Sequence, residues 1–215
     1  MPIKAGTEPR ANCSDCSRLV ELRQKLQLEQ PSWFNAPVPS FGDPEAALII
    51  VGLAPGLQGA NRTGRPFTGD YAGDLLYATI EKLGLSMGQY GSDPNDGLTL
   101  KGCLITNAVR CLPPQNKPVG AEINNCRPYL EALLTSSTSV QSIMALGKIA
   151  HDSVVRAMGG KLKDHVFGHG AVHHFENGLV LIDSYHCSRY NTNTRRLTPE
   201  MFETAMVTAK KLAGL

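Results

Sequence analysis

The sequence predicts a three-layer α/β/α sandwich around a mostly parallel, four-stranded central sheet. Four short apolar runs have the length and composition of strands that are buried on both faces. A segment with helical periodicity follows each run, and such alternation is typical of a parallel sheet with helices on both faces. A chain of 215 residues can bury a core of its own, so we expect residues 1–215 to form a single domain.

The individual elements are predicted from apolar periodicity and from helix-capping and turn-forming residues. The predicted strands are residues 46–51, 103–109, 142–146 and 179–183. The predicted helices are residues 16–27, 70–83, 121–134, 147–157 and 199–213, the last of them capped by Thr198. We expect residues 1–12 to be loosely structured. The prolines of residues 30–46 predict an extended connector, so residues 1–45 form an N-terminal arm.

The composition is that of an ordinary soluble globular protein, with 42% hydrophobic and 19% charged residues. A net charge of +2 gives no argument for a polyanionic partner. Local groups of basic residues are either a phosphate-binding surface or a solvated one. These groups are Arg62 with Arg65, Arg110 with Lys117, and Arg189 with Arg195 and Arg196. No apolar run is long enough to span a membrane, and residues 1–10 lack the apolar core of a secretory signal, which predicts a cytoplasmic protein.

Four of the six cysteines form two spaced pairs that are far apart in the chain. Cys13 and Cys16 make a Cys-x-x-Cys near the N-terminus, and Cys111 and Cys126 bracket a proline-rich loop. In a reducing compartment four such thiolates favour a metal site over disulfides, and their spacing is compatible with zinc or with an iron–sulfur cluster. Four unrelated buried thiols are the alternative. Cys103 lies in a predicted strand and is expected to pack in the core.

Two loops that follow predicted strands carry the chemically distinctive residues. In a parallel sheet, ligands bind outside the carboxyl ends of the strands, where residues 52–70, Asn107 and residues 186–191 are expected to meet. The glycine-rich loop lacks the Gly-Lys-Ser/Thr of a phosphate-binding loop. Its Phe67 could stack on a planar ligand or anchor the core. His186 could donate a hydrogen bond to a developing anion or serve a structural role.

The other histidines show no spacing that is typical of a metal site. They are His151, His165, His169, His173 and His174. We expect the adjacent pair His173 and His174 to face the surface. Cys187, which follows His186 directly, is expected to neighbour the site without binding a metal.

Three long motifs of this chain resemble those of the uracil-DNA glycosylases, in particular the iron–sulfur group called family 5. The motifs are Gly52-Leu53-Ala54-Pro55-Gly56 with residues 59–70, Thr106-Asn107-Ala108-Val109-Arg110-Cys111 with its proline pair, and residues 186–198. The likeness extends from Cys13 to the last helix. It implies a [4Fe-4S] cluster held by Cys13, Cys16, Cys111 and Cys126, and excision of uracil from double- or single-stranded DNA in base excision repair.

Two departures from the wider superfamily stand out. Many of its members have a polar residue that positions water where this chain has the apolar Leu53 and Ala54, and this absence fits family 5. A pocket without that residue could also accept hypoxanthine or xanthine. A proline commonly follows the histidine where this chain has Cys187, which predicts a looser loop or a wider pocket.

The resemblance implies a role for each site residue. We expect Asp70 to activate water or stabilise the sugar cation, with Asp74 and Asn61 as weaker candidates. We expect His186 to donate to the uracil oxygen. Asn107 would read the edge of the flipped base. Gly52, Ala54 and Phe67 would line the base pocket, with Phe67 stacked on the base.

We expect the loop after His186 to contact DNA. Arg189 would bind a DNA phosphate, Tyr190 would insert into the DNA duplex as a wedge, and Asn191 would also contact the DNA. By analogy with other repair enzymes, the protein is expected to act as a monomer.

Two other functions are alternatives to an active glycosylase. The missing polar residue of the first motif also suits a non-catalytic DNA-binding module that uses its cluster as a redox sensor. A relative that becomes covalently linked to DNA through a histidine-bearing insertion is disfavoured, since residues 52–70 contain no basic insertion.

Overall fold

The computed structural model describes residues 6–135 and 138–215, and helices separate the strands of its central sheet at several points along the chain. The strands are β1 Phe41–Gly42, β2 Leu48–Gly52, β3 Ser86–Met87, β4 Thr99–Leu100, β5 Cys103–Asn107, β6 Ser142–Leu146, β7 Val172–His174 and β8 Val180–Ser184. The helices are α1 Ser17–Glu29, α2 Ala60–Thr63, α3 Tyr71–Lys82, α4 Gly120–Thr135, α5 Lys148–Ala157, α6 Arg189–Asn193 and α7 Pro199–Leu212, with a 3₁₀ turn at Pro114–Asn116.

The central sheet has six strands in the order β1-β5-β2-β6-β8-β7. Its four inner strands, β5, β2, β6 and β8, are parallel and are the four that the apolar runs predict. The prediction of a four-stranded sheet is wrong because β1 and β7 add an antiparallel strand at each edge. Both edge strands are short and only partly buried, so neither produces an apolar run. A separate hairpin of β3 and β4 was also not predicted.

Helices cover both faces of this sheet, as predicted. One core lies between the sheet and helices α3 and α7, and contains residues such as Leu76 and Phe202. The other core lies between the sheet and helices α4 and α5, and contains residues such as Leu134 and Val154. Together the two cores fix the carboxyl ends of the four parallel strands at one edge of the sandwich. No helix of the described residues is long and apolar enough to cross a membrane.

The N-terminal arm is better ordered than its sequence suggests. Thr7 is buried, and the Glu8 carboxylate accepts hydrogen bonds from the buried Arg110 guanidinium at 2.7 Å and from the Ser40 amide at 3.1 Å. The prediction of a loose segment is therefore wrong for Thr7 and Glu8, whereas residues 9–12 form no helix or strand, and residues 1–5 lie outside the described part. The error arises because a short polar segment has no periodicity even when it is held by a buried arginine.

Candidate active site

The loops that follow β2, β5 and β8 meet around one cavity of about 260 Å³. The cavity is lined by Ala54, Pro55, Gly56, Ala60, Phe67, Asp70, Ala72, Asn107, Asn116, His186 and Ser188. The structure thus brings together Ala54, Phe67, Asp70, Asn107 and His186, which come from three separate motifs. Parallel strands place such loops at the same edge of the sheet, and this is where ligands bind in folds of this type.

Gly52 ends β2 and lies beneath the cavity. A β-carbon at this position would be 2.4 Å from Asn107 Oδ1 and 2.6 Å from Phe67 Cζ. Only glycine lets both side chains approach the strand end so closely. Gly52 therefore shapes the cavity because it has no side chain, which leaves room for Asn107 and Phe67. Its predicted role as a substrate-binding residue stays a prediction.

Phe67 belongs both to the cavity and to the core. Its side chain is buried among the residues between the sheet and helices α3 and α7, and its ring stacks on His186 with centroids 6.0 Å apart. Phe67 has a positive φ of 55°, which is uncommon for a bulky residue and is often found at functional sites. The two interpretations of Phe67 from the sequence, as a core residue and as a stacking surface for a ligand, are therefore compatible. A side chain that packs in the core can also present one face of its ring to a ligand.

Asp70 is the carboxylate of the cavity. It precedes α3 as its N-cap, and Oδ1 accepts a hydrogen bond from the Gly73 amide at 3.2 Å. Its Oδ2 faces the glycine-rich loop, where a β-carbon on Gly59 would lie 2.3 Å away. Burial raises the pKa of Asp70, which makes the ionised carboxylate a stronger base than an exposed one.

The two weaker candidates for the role of Asp70 do not line the cavity. Asn61 is buried, and its amide donates to Asn35 Oδ1 at 2.9 Å, which joins the glycine-rich loop to the connector. Asp74 is exposed on the first turn of α3.

His186 follows β8 and forms the opposite wall of the cavity. Burial lowers the pKa of His186 to about 4, so its imidazole is neutral at physiological pH. A neutral imidazole can donate one hydrogen bond without a charge of its own. Cys187 beside it is buried, and its thiol donates to the Ala72 carbonyl at 3.3 Å, which ties the His186 loop to α3. Burial raises the pKa of this thiol, so Cys187 stays uncharged.

Residues 189–191 form the first part of α6, and their side chains differ in exposure and in contacts. Tyr190 is 72% exposed, and the Arg189 guanidinium lies over the Tyr71 ring at 5.0 Å. Both can reach a ligand outside the cavity. The Asn191 amide instead donates to the His186 carbonyl at 2.8 Å, so it holds the loop that carries His186. Its side-chain amide is therefore bound within the loop, and the predicted contact of Asn191 with DNA stays a prediction.

Asn116 lines the cavity but was missed by the sequence analysis. It ends the 3₁₀ turn after the proline pair, and both Gln115 and Asn116 have φ near +56°. A left-handed pair of this kind is strained and often marks a functional loop. The available signal was the position of this loop directly after the motif of residues 106–111 and its proline pair.

The four paired cysteines line one further pocket, beneath the N-terminal arm. Cys13, Cys16, Cys111 and Cys126 share it with Arg23 and Asn125, among others. Asn125 donates to Cys16 Sγ at 3.6 Å, and an Arg23 nitrogen lies 4.0 Å from Cys111 Sγ. Burial raises the pKa of Cys111 to about 12 and that of Cys126 to about 11. Four thiolates can therefore coexist here only around a cationic centre.

A second group of buried polar residues lies behind the active site. His151, His173 and Asp183 come within 4.8 Å of one another, and they are the one such triplet of histidine, cysteine and acidic residues found among the described residues. The prediction that His173 faces the surface is wrong, since its ring contacts Asp183, whereas His174 is exposed as expected. Alternation along β7 explains why two adjacent histidines have opposite environments.

Comparison with known proteins gives the class of this fold and site. The family model of the uracil DNA glycosylase superfamily matches residues 39–210. The chain is 44% identical to the type-5 uracil-DNA glycosylase of Thermus thermophilus over 100% of both chains, and 42% identical to that of Mycobacterium leprae over 98% of each. It is 37% identical to that of Pyrobaculum aerophilum, over 94% of this chain and 90% of the relative.

The fold, the cavity and the matching family model therefore define a member of the uracil-DNA glycosylase superfamily. Within this superfamily the chain belongs to the type-5 family, as its identity to members from bacteria and an archaeon shows over nearly the whole length.

Proposed function

We propose that this single-domain protein is a monofunctional DNA glycosylase that removes uracil from DNA by hydrolysing its N-glycosidic bond. The observation that carries the proposal is the meeting of a carboxylate, an amide and a neutral imidazole in one cavity, namely Asp70, Asn107 and His186. The names of the relatives, all type-5 uracil-DNA glycosylases, support the choice of uracil. Action as a monomer in the cytoplasm is part of the proposal.

The reaction breaks the bond between C1′ of deoxyribose and N1 of uracil. Both electrons of this bond leave with the base, so negative charge grows on uracil and positive charge on the sugar. His186 donates its N–H to the uracil oxygen, where it stabilises the developing anion. Asp70 accepts a proton from the water whose oxygen attacks C1′, and its negative charge also stabilises the sugar cation. Uracil leaves, and an abasic site remains.

The base must leave the DNA stack before this chemistry can occur. Extrusion from a duplex costs a few kcal/mol, which contacts to the DNA have to offset. We propose that Tyr190, which is exposed, fills the vacated stack and that Arg189, which lies over the Tyr71 ring, binds a nearby phosphate. Inside the cavity, Asn107 offers a donor and an acceptor to the base edge, and the Phe67 ring offers a stacking surface.

The apolar lining at Ala54 supports a wider range of bases. No side-chain hydrogen-bonding group is present at this position to select uracil, and apolar walls discriminate poorly between planar bases. We therefore propose hypoxanthine and xanthine as secondary substrates. The non-catalytic alternative is disfavoured, because a binding module has no need for a carboxylate whose pKa is raised by burial beside a neutral histidine.

The donor set of the four cysteines fits a [4Fe-4S] cluster. Zinc–sulfur bonds of about 2.3 Å require sulfurs roughly 3.8 Å apart. Among the described residues, however, no three cysteines come within 4.8 Å of one another, which fits a larger centre better. We propose that Cys13, Cys16, Cys111 and Cys126 hold the cluster, which supplies a structural link between the N-terminal arm and the loop that carries Asn116.

The proposed activity can be tested on oligonucleotides that carry one uracil, hypoxanthine or xanthine, in single- and double-stranded form. We expect alkali-labile sites at the modified base with no added metal, and no strand cleavage before alkali. The protein with Asp70→Asn serves as the matched negative control. DNA binding without any abasic product would overturn the proposal in favour of the binding module.

Replacement of a proposed cluster ligand tests the structural link. We expect Cys111→Ala to lose bound iron and the broad visible absorbance, and to excise uracil poorly because the loop to Asn116 is no longer anchored. Cys103→Ala is the matched control, since Cys103 is buried in β5 and lies outside this pocket. Full iron content and activity in Cys111→Ala would contradict the proposed role.

A further inference from the structure

The group of Asp183, His151 and His173, here called the Asp183 cluster, joins three elements of the fold. Asp183 is in β8, His151 in α5 and His173 in β7. The carboxylate lies 2.8 Å from His151 Nδ1 and 3.0 Å from His173 Nε2, and it also accepts from the Gly168 amide at 3.3 Å. Asp183 and His151 are almost completely buried. None of the cluster's side chains lines the cavity, so the proposed chemistry does not use them.

Hydrogen-bond geometry determines how many protons His151 carries. Its Nε2 lies 2.9 Å from the His165 carbonyl oxygen, which can only accept, so Nε2 bears a hydrogen. Its Nδ1 faces an oxygen of Asp183, which also accepts when ionised. The Asp183 carboxylate also lies 3.0 Å from His173 Nε2 and accepts from the Gly168 amide at 3.3 Å. Each ring nitrogen of His151 thus faces an oxygen that can accept a hydrogen bond, and this geometry favours the imidazolium, which has a hydrogen on both nitrogens.

The surroundings of His151 agree with this protonation state. Burial lowers the pKa of His151, but the hydrogen bond and charge of Asp183 and the hydrogen bond to His165 outweigh it, and the net shift is upward. The titratable and charged groups that face the ring are Asp183 from β8, His173 from β7, His165 from the loop after α5, and Asp152 from α5 itself. Asp152 is paired with Lys148.

Through α5, the Asp183 cluster is connected to His186. The His151 amide donates to the Gly147 carbonyl at 3.0 Å, one turn earlier, and the Gly147 amide donates to the Ser184 carbonyl at 2.8 Å. A β-carbon on Gly147 would be 3.4 Å from His186 Cβ. The start of α5 thus lies directly behind the side chain of His186, and His151 clamps this helix to β8.

Through the loop before β7, the Asp183 cluster also supports the residue that precedes His186. The Gly170 amide donates to the Asp183 carbonyl at 2.8 Å. His169 Nδ1 accepts from the Tyr185 amide at 3.2 Å, and the His169 and Tyr185 rings stack at 5.1 Å. The backbone that leads into His186, at Ser184 and Tyr185, is thus held by elements that contact Asp183.

We propose that His151, in its protonated form, is a positioning residue that holds His186 in its catalytic orientation, so that base excision is lost when His151 releases its proton. Deprotonation removes the hydrogen from one of the two ring nitrogens, so that a lone pair faces either the Asp183 carboxylate or the His165 carbonyl. The hydrogen bond lost in this way frees the start of α5. A displacement of His186 by about 1 Å can cost up to about a hundredfold in rate. This proposal rests on the proposed glycosylase function, but its first test does not.

That first test is NMR of the ring nitrogens of the intact protein, which does not require any activity. We expect His151 to be doubly protonated at pH 7 and to titrate above the usual histidine value of about 6.5. A singly protonated His151 at pH 7 would overturn the proposal, whether or not the protein is a glycosylase. Stoichiometric zinc in addition to the cluster iron, lost in His151→Gln, would also overturn it, because a metal ion would then occupy the place of the proton.

The second test is the pH dependence of single-turnover excision, measured apart from DNA affinity. We expect the wild-type rate to fall as the pH rises through the pKa of His151, with unchanged DNA binding. We call this fall the alkaline limb of the pH–rate profile. His151→Gln should abolish the alkaline limb, and Asp183→Asn should shift it to lower pH. A merely structural role would produce neither effect. His174→Gln, one residue beyond His173 and exposed, should leave the limb in place. An unchanged limb in His151→Gln would contradict the proposal.

Discussion

We expect Asp70→Asn to lower single-turnover uracil excision by about a hundredfold to ten-thousandfold, the range for loss of a general base. Asparagine has nearly the shape of aspartate but carries no charge, so it can neither accept the proton of water nor stabilise the sugar cation. The measurement is the rate of abasic-site formation with enzyme in excess over a uracil-containing duplex.

The substitution isolates the charge because Asp70 also caps α3. The Asp70 side chain accepts from the Gly73 amide, and asparagine is an equally good N-cap. Burial raises the pKa of Asp70, so the ionised form costs free energy of folding at neutral pH. This cost is present above the pKa of the folded state and disappears as the pH falls below the unfolded value. We therefore expect Asp70→Asn to be at least as stable as the wild type at pH 7 by thermal denaturation.

Asp74→Asn is the matched control, as it removes one carboxylate from the same helix turn outside the cavity. It should excise uracil at the wild-type rate. If Asp70→Asn kept the full rate while remaining folded, Asp70 would have no part in the chemistry, and the water would have to be activated by another group.

The inner part of the fold was predictable because each parallel strand is buried on both faces. Strands such as β2 and β6 consist of five buried residues, so their sequences are continuous apolar runs. The edge strands β1 and β7 each pair with one neighbouring strand only, β5 and β8 respectively, and are partly exposed to solvent. Their residues therefore carry no periodic signal, and one of them, β1, lies in a connector rich in proline.

The main cavity residues were predictable for a different reason. Asn107 and His186 lie at or just after the end of an apolar strand, and the parallel topology brings such positions together. Asp70 ends the long loop that follows β2 and caps α3, and its glycine-rich loop marked it as a candidate. Asn116 could not be placed in this way, because it lies nine residues beyond the end of β5, after a proline pair, and the left-handed turn that brings it to the cavity has no apolar signal. The position of the Asn191 side chain likewise depends on one hydrogen bond to a backbone carbonyl.

The Asp183 cluster could not be predicted from the spacing of residues in the sequence. His151 and His173 precede Asp183 by 32 and 10 residues in the chain, and no sequence motif links the three. Only the pairing of β7 with β8 and the packing of α5 on the same face bring them together. Buried polar groups of this kind become visible once the hydrogen-bond partners of each are known.

Removal of the imidazole in His186→Ala is expected to slow single-turnover excision by about a hundredfold to a thousandfold, the usual effect of losing one preorganised donor. The loss should appear in the rate of bond cleavage rather than in DNA affinity, because the donor acts on charge that develops only in the transition state. The measurement is a single-turnover time course at several enzyme concentrations, which separates the two.

The same argument requires His186 to be neutral. Burial lowers the pKa of His186 to about 4, so NMR should show a neutral ring at pH 7 that gains its proton only near pH 4. A folded-state pKa below the unfolded value contributes stability above pH 6.5 that is lost as the pH falls toward 4. His186→Ala should therefore show a weaker loss of thermal stability in acid than the wild type, while His174→Ala, which removes an exposed histidine, should behave as the wild type. An imidazolium at His186 at pH 7 would contradict this mechanism, because the donor would then carry a charge before the base begins to leave.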